Sequence, residues 1–260
     1  MGLTTIGGVA RPDDRRFAEL TFDDFRRLAT DRSLSPYEKI GFPDSYREGH
    51  EPAIFADIEA KLPPLSQRRG QVVLDIGPGC SELPRMVRAR CEENGHTLVL
   101  VDSEEMLAHL PDAAYVRKFS GRFPDCPELL DEFAGRVDAI LAYSVLHYVF
   151  PHASVHGFLD AAMGLLAHGG HMLIGDVPNI SKRRRFFASP AGQAFHRDFT
   201  GSDELPEVDW NALEPGKIDD AVLFGLVARA RAAGYDAYLV AQAPDLPMAN
   251  RREDLLVVRP

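Results

Sequence analysis

The residues best equipped for chemistry lie in and around VVLDIGPGCSEL, residues 72–83. An apolar run carrying a single aspartate, Asp75, reads as a buried strand. Gly77 and Gly79 then let the chain turn sharply and let its backbone approach a ligand closely. Such a turn can cradle phosphate at the start of a helix, or hold a nucleoside that carries none. Glu82 argues against phosphate. It occupies the third glycine position of the GxGxxG pattern, where a bulky charged side chain both blocks and repels a pyrophosphate. Asp75, two places before the first glycine, suits a cationic ligand better than an anionic one. Asp102 closes a second apolar run, HTLVLVD, where its carboxylate can accept two hydrogen bonds from a ribose diol.

Two further groups bear on chemistry. SKRRRFF, residues 181–187, places Arg183, Arg184 and Arg185 side by side. A solvated helix face and a clamp for a phosphate or carboxylate both fit this run. His147, His152, His156, His168 and His171 fall close together in sequence. His152 and His156 share a helical spacing, but no neighbouring carboxylate completes a ligand set, so no metal is expected.

The elements that must position these groups can be read from periodicity. A helix is predicted over residues 22–29, a broken Pro/Gly stretch follows, and a second helix covers residues 54–62. Residues 71–76 form the first strand. Its helix begins near Ser81 as N-cap, tolerates Pro84 in its first turn and stops at Gly95. Strands end at Asp102 and near Phe119. Residues 137–145, nearly all apolar, form a strand covered on both faces. Val155, Phe158, Leu159, Ala162, Leu165 and Leu166 repeat at helical spacing, with Gly169-Gly170 as the stop. HMLIGD is the fifth strand. An irregular insertion of some forty residues, about 177–217, has the length of a lid or substrate wall. A helix over residues 219–233 and two closing strands follow. The strands lack an intervening helix and can pair antiparallel. The fold class is α/β: a doubly wound, mostly parallel seven-stranded sheet with a C-terminal antiparallel hairpin. Residues 1–66 form an N-terminal helical cap segment, loose over 1–15, and residues 67–260 the main domain.

Composition narrows the partners. The chain has 260 residues, 45% of them hydrophobic, and a formal net charge of −10. That charge disfavours a general nucleic-acid binder, which needs an extended basic surface. No apolar run reaches the eighteen or so residues of a membrane span, and the first residues lack the apolar core of a signal peptide. A cytoplasmic protein with neither nucleic-acid nor membrane partners is expected. Cys80, Cys91 and Cys126 show no CxxC spacing and read as reduced thiols, with Cys91 on the apolar face of its helix.

Taken together, these stretches resemble the class I S-adenosylmethionine-dependent methyltransferases, over residues 72–176 and again in the closing hairpin. LDIGPGCSEL looks like the family's first motif, LVDSEEML its second, DAILAYSVLHYV its fourth, and LLAHGGHMLIGD its fifth-strand segment. The resemblance implies S-adenosyl-L-methionine as cofactor, with Asp75, Gly77 and Gly79 along its methionine part and Asp102 on its ribose. It implies Ser103 and Met106 at the adenine, and Tyr143 and Ser144 beside the reactive methyl. Family N-terminal segments often cover the cofactor, so Arg47 becomes a partner for its carboxylate; an ordinary surface ion pair is the other reading. The chain departs from the family after the third strand. Where a Gly-Asp often meets the adenine amine, it has Ser120-Gly121-Arg122, with Asp125 as the substitute.

Methyl transfer to oxygen requires a general base near the ends of strands four and five, and His147 and Asp176 are the candidates. Tyr148, Asn179 and Arg183–Arg185 become acceptor-binding candidates. GDVPNISKRRRFF is similar to stretches in bacterial methyltransferases of surface-sugar and other secondary pathways. The expected function is methyl transfer to a small molecule, a sugar or other anionic metabolite, and a homodimer stays open. An NAD(P)-dependent oxidoreductase, with Glu82 against it, and a non-catalytic cofactor-binding partner are the rivals.

Overall fold

The computed structural model describes residue 17 and residues 20–260. The loose start expected over residues 1–15 lies outside them.

The strands are β1 (Val72–Ile76), β2 (Thr97–Asp102), β3 (Val116–Ser120), β4 (Val137–Tyr143), β5 (Leu166–Pro178), β6 (Asp236–Ala241) and β7 (Arg252–Val258). They make one sheet in the order β3-β2-β1-β4-β5-β7-β6. β1 to β5 are mutually parallel. β7 runs antiparallel between β5 and β6, the expected closing hairpin. The chain winds outward from β1 to β3, then returns to place β4 on the other side of β1. Connections leaving β1 and β4 therefore diverge, and a crevice opens beyond their carboxyl ends. β1, β2 and β4 are buried along most of their length, as strands covered on both faces must be.

Before the sheet come α1 (Phe22–Thr30), α2 (Pro36–Lys39), α3 (Asp44–Arg47), α4 (Glu51–Lys61) and α5 (Pro63–Ser66). Reciprocal capping boxes start α1 (Thr21 with Asp24) and α2 (Ser35 with Glu38). Ile54, Phe55, Ile58, Leu62 and Leu65 bury the cap's apolar side against Leu83, Val87 and Cys91. Those three lie on α6 (Leu83–Asn94), which ends at Gly95 in the left-handed conformation. α7 (Glu104–Leu107) follows β2, capped by Ser103. α8 (Pro127–Phe133) and α9 (Leu146–Val149) precede α10 (Val155–Leu165), whose buried Phe158, Leu159 and Ala162 are the periodic set seen in the sequence.

The structure corrects the sequence reading in three places. Ser81 does not cap α6: the helix starts two residues later, and the Ser81 hydroxyl bonds Glu51 instead. Gly169-Gly170 does not stop α10. The helix ends at Leu165, and both glycines lie inside a β5 that begins at Leu166, beside a register shift against β4. The segment after β5 is helical in its first half and irregular only from residue 201 to 219. SKRRRFF belongs to α11 (Ile180–Ala188), and α12 (Pro190–Thr200) follows. Asn179 and Ser189 cap them, and Phe186, Phe187 and Phe195 pack their rings together. α13 (Asp220–Ala232) then leads into β6.

Candidate functional site

A cavity of about 330 Å³ opens beyond the carboxyl ends of β1, β2 and β4, roofed by the cap. Gly77, Pro78, Gly79 and Asp102 line one side, and Tyr143, Ser144 and Val145 another. Phe22, Phe25, Ile40 and Phe42 reach in from the cap, and Tyr148, Val149 and His152 complete it. The two glycines are demanded twice over. Both have positive φ, and a Cβ would stand 2.8 Å from Val145 at Gly77 and 2.6 Å from Ile40 at Gly79.

Asp102 is fixed at the rim. Its Oδ2 accepts from the Gly79 N–H at 3.2 Å and its Oδ1 from the Ser103 N–H at 2.7 Å. Burial pushes its carboxyl up to about 6, against these donors. Asp75 lies deeper; burial first, and then the Asp102 charge, push its carboxyl up to about 8. Two crowded, desolvated carboxylates make this end of the sheet receptive to positive charge.

Asp75 also predicts a pH response. Its carboxyl is raised above an unfolded value of about 4. Its contribution to stability is therefore complete below about pH 4 and is lost as pH rises through about 8. His147, held well below its ordinary value, acts in the opposite sense but only up to about pH 6.5. Between roughly pH 6.5 and 8.5 the ligand-free protein should melt at falling temperature, and Asp75→Asn should flatten that slope. Parallel melting curves for the two proteins across that range would show that Asp75 is not desolvated.

A network of charges closes the far end of the cavity. Ser144 and Asp176, at the ends of β4 and β5, both take positive φ, 60° and 58°. For non-glycine residues this is stored strain, found where surroundings hold a functional geometry. Asp176 accepts from the Ser144 hydroxyl, from Arg47 Nη2 at 3.0 Å and from Arg252 Nη1 at 2.5 Å. Arg47 also donates to Ser144 Oγ at 2.5 Å and lies 4.4 Å over the Phe42 ring. Asp254 accepts from the Asp176 N–H and from Lys61 of α4.

The predicted site residues divide accordingly. Gly77, Gly79, Asp102, Met106, Tyr143, Ser144, Arg47 and Tyr148 line the cavity. Ser103 stands behind it as the α7 cap, and Asp75 beneath the glycine turn. Arg47 is buried, not part of a surface ion pair. The Asp176 carboxylate is saturated by donors, so it holds Arg47 and Arg252 rather than standing open to take a proton. His147 does not line the cavity. Both its ring nitrogens are buried without a partner among the described residues, and burial keeps it neutral. Asn179 caps α11 and donates to Asp220 and Glu253. Arg184 pairs with Glu214 and Arg185 with Asp220, while Arg183 stacks over Phe187; none of the three reaches the cavity. Arg122, not Asp125, lies at the cavity after β3.

Sequence reasoning missed Glu51 and Arg252, and weighed His152 only as a metal ligand. Glu51 lines the cavity from α4 and His152 from beyond α9. Among the described residues, no group of His, Cys, Asp and Glu side chains is arranged to hold a metal ion, and no helix is long and apolar enough to cross a membrane.

No protein-family model matches the chain, and no curated protein matches it by sequence. Solved structures match it by shape. A chain of the complex between the Haloferax volcanii Trm112 methyltransferase activator and a candidate methyltransferase superposes with a TM-score of 0.56 at 15% identity, covering 91% of this chain and 98% of its own. The plantazolicin methyltransferase BpumL, solved with a desmethylplantazolicin analogue and S-adenosylhomocysteine, gives 0.53 at 11% identity, over 95% and 99%. The CurJ carbon methyltransferase gives 0.53 at 14% identity, over 94% of this chain and 66% of that one. The chain shares the fold of these proteins.

Proposed function

We propose that the protein transfers a methyl group from S-adenosylmethionine to a small-molecule acceptor enclosed under its cap. The observation that carries this reading is a single cavity joining a glycine turn, a ribose-competent Asp102 and the strained end of β4. The residues fit the cofactor. Asp102 would hold the ribose hydroxyls, the glycine turn would admit the methionine part at close range, and Met106 would border the adenine. Crowded carboxylates suit a cation, whereas Glu82 beside the turn disfavours a pyrophosphate. When bound, S-adenosylmethionine supplies a methyl on a sulfonium, already activated for in-line displacement.

The chain's own work is then to position, to exclude water and to accept a proton. Phe22, Phe25 and Phe42 close the roof over the acceptor space. Tyr143 and Ser144 flank the reacting end. A hydroxyl acceptor must lose a proton, and His152, which lines the cavity, is better placed to take it than His147. The cap over the site and the limited volume favour a metabolite over a macromolecule. Its anionic character rests on Arg122 at the cavity, since Arg47 is paired with Asp176 and the Arg183–Arg185 run lies elsewhere.

Calorimetric titration with S-adenosylhomocysteine, with NADH as control, tests the reading. Saturable binding of the former alone is expected. Binding of NADH alone would replace it with the oxidoreductase reading. Binding of S-adenosylhomocysteine without methylation of any small acceptor would favour the non-catalytic one.

A further inference from the structure

Where β7 begins, the sequence sets Arg251 and Arg252 side by side, and the fold buries both, to 5% and 1% exposure. Arg252 commits one corner of its guanidinium to Asp176: Nη1 donates to the carboxylate at 2.5 Å and to the main-chain carbonyl at 3.0 Å. Its Nε and Nη2 are buried without a partner among the described residues, and so is the Nε of Arg251. Arg251 donates a long 3.3 Å hydrogen bond to Asn250 and lies 5.6 Å over the Phe195 ring of α12. It forms no ion pair among the described residues. Both ring nitrogens of His147 and the Tyr148 hydroxyl are likewise buried without partners, close enough to Arg252 to feel its charge.

Water can satisfy such donors one by one, but it cannot balance their charge. Arg47, Arg252 and Lys61 are matched by Asp176, Asp254 and Asp57. Arg251 is left over. Burial and the neighbouring charges of Arg252 and Arg183 pull its guanidinium down to about 10. It therefore stays a cation at neutral pH, out of water and beside another cation. Buried cations so placed are costly unless an anion joins them. The position suits an anion that belongs to the acceptor. Through Asp176, Arg252 connects to the Ser144 hydroxyl at the reacting end of the cavity. Its guanidinium carbon lies 5.9 Å from the centre of the Phe42 ring, which lines the cavity together with Tyr148.

We propose that Arg251 and Arg252 bind an oxyanion, the carboxylate or phosphate of the methyl acceptor. This site rests on the methyl-transfer reading and gives it a substrate class, an acid. Nε and Nη2 of Arg252 form a planar fork that matches two oxygens of one acid group. Arg251 adds the second charge, and neutral His147 has a ring N–H to donate. Asp176 grips Arg252 from the opposite corner and so holds the fork in place.

Inorganic phosphate and acetate, titrated into protein saturated with S-adenosylhomocysteine, test the site by calorimetry and melting temperature, with chloride at matched ionic strength as control. Saturable binding and a higher melting temperature are expected with at least one oxyanion and not with chloride. Arg251→Gln should weaken that binding roughly ten- to a hundredfold, the loss of one charge-assisted hydrogen bond. Without anion it should melt no lower than wild type, since it removes a buried cation from beside another. A variant that melts well below wild type, or that answers both oxyanions as wild type does, would make Arg251 a structural residue and overturn the site. So would a wild type indifferent to both oxyanions, a comparison that needs no variant. Glucuronate and para-hydroxybenzoate, each against its amide, then identify the source. At least one acid should displace phosphate while its amide does not. Phosphate displaced by neither acid would make this a site for a free inorganic ion and overturn its assignment to the acceptor. Phosphate binding by a protein that does not bind S-adenosylhomocysteine would remove the methyl-transfer reading and leave only the anion site.

Discussion

Asp176→Ala is expected to lose about 3–5 kcal/mol of stability, the cost of stripping a buried ion pair of one partner. For a chain of this size that lowers the melting temperature by on the order of 10 °C. The size of the effect follows from what Asp176 holds. Its carboxylate lies between Arg47 and Arg252, which are 5% and 1% exposed. Guanidinium groups do not shed their protons, so removing the anion leaves two buried cations facing one another. Asp254 cannot replace it, being engaged by Lys61 and by the Asp176 N–H. Asp176→Asn separates the causes. Asparagine tolerates the left-handed backbone seen here and keeps an acceptor oxygen, so it isolates the charge. Alanine adds the conformational cost. Urea unfolding of both variants checks this. An Asp176→Ala protein within about 1 kcal/mol of wild type would mean that the arginines find other partners.

Asp102→Ala should behave in the opposite way, sparing stability and destroying binding. Two charge-assisted hydrogen bonds to a ribose diol contribute roughly 3–6 kcal/mol, so affinity for S-adenosylhomocysteine should fall at least a hundredfold. The melting temperature of the ligand-free variant should hold or rise, because a desolvated carboxylate with a raised pKa has been removed. Only the bond from the Gly79 N–H and that from the Ser103 N–H are given up. Retained affinity would show that Asp102 merely shapes the turn. A matched loss of stability would show the same.

The contrast between these two aspartates explains which parts of the site could be read from sequence. Asp102 works through neighbours in the chain and a glycine turn on the adjacent strand, so strand periodicity and residue type expose it. The same holds for Gly77, Gly79 and the strand-end position of Tyr143. Asp176 could be located, but its role could not. Its partners Arg47 and Arg252 stand 129 and 76 residues away, and no local pattern encodes that meeting. Glu51 was hidden for the same reason, since the side chain it bonds is that of Ser81, 30 residues away, which looked like a helix cap. The Arg183–Arg185 run erred in the other direction. Charge density suggested a ligand, but distant Glu214 and Asp220 neutralise two of its members. The insertion looked irregular because two short capped helices, α11 and α12, each begin at a polar or proline-bearing break.

The ion pairs linking the cap to the sheet have a consequence for how the molecule can be taken apart. Arg47 reaches Asp176, Lys61 reaches Asp254, and Glu51 reaches Ser81, each across the boundary at residue 66. A cut there would leave orphaned ions on both fragments. Residues 20–66 are thus no transplantable module, despite being helical and contiguous. Cap and sheet should therefore unfold as one cooperative unit, and an exchange of caps between proteins of this fold would have to carry the matching anions of β5 and β7 with it.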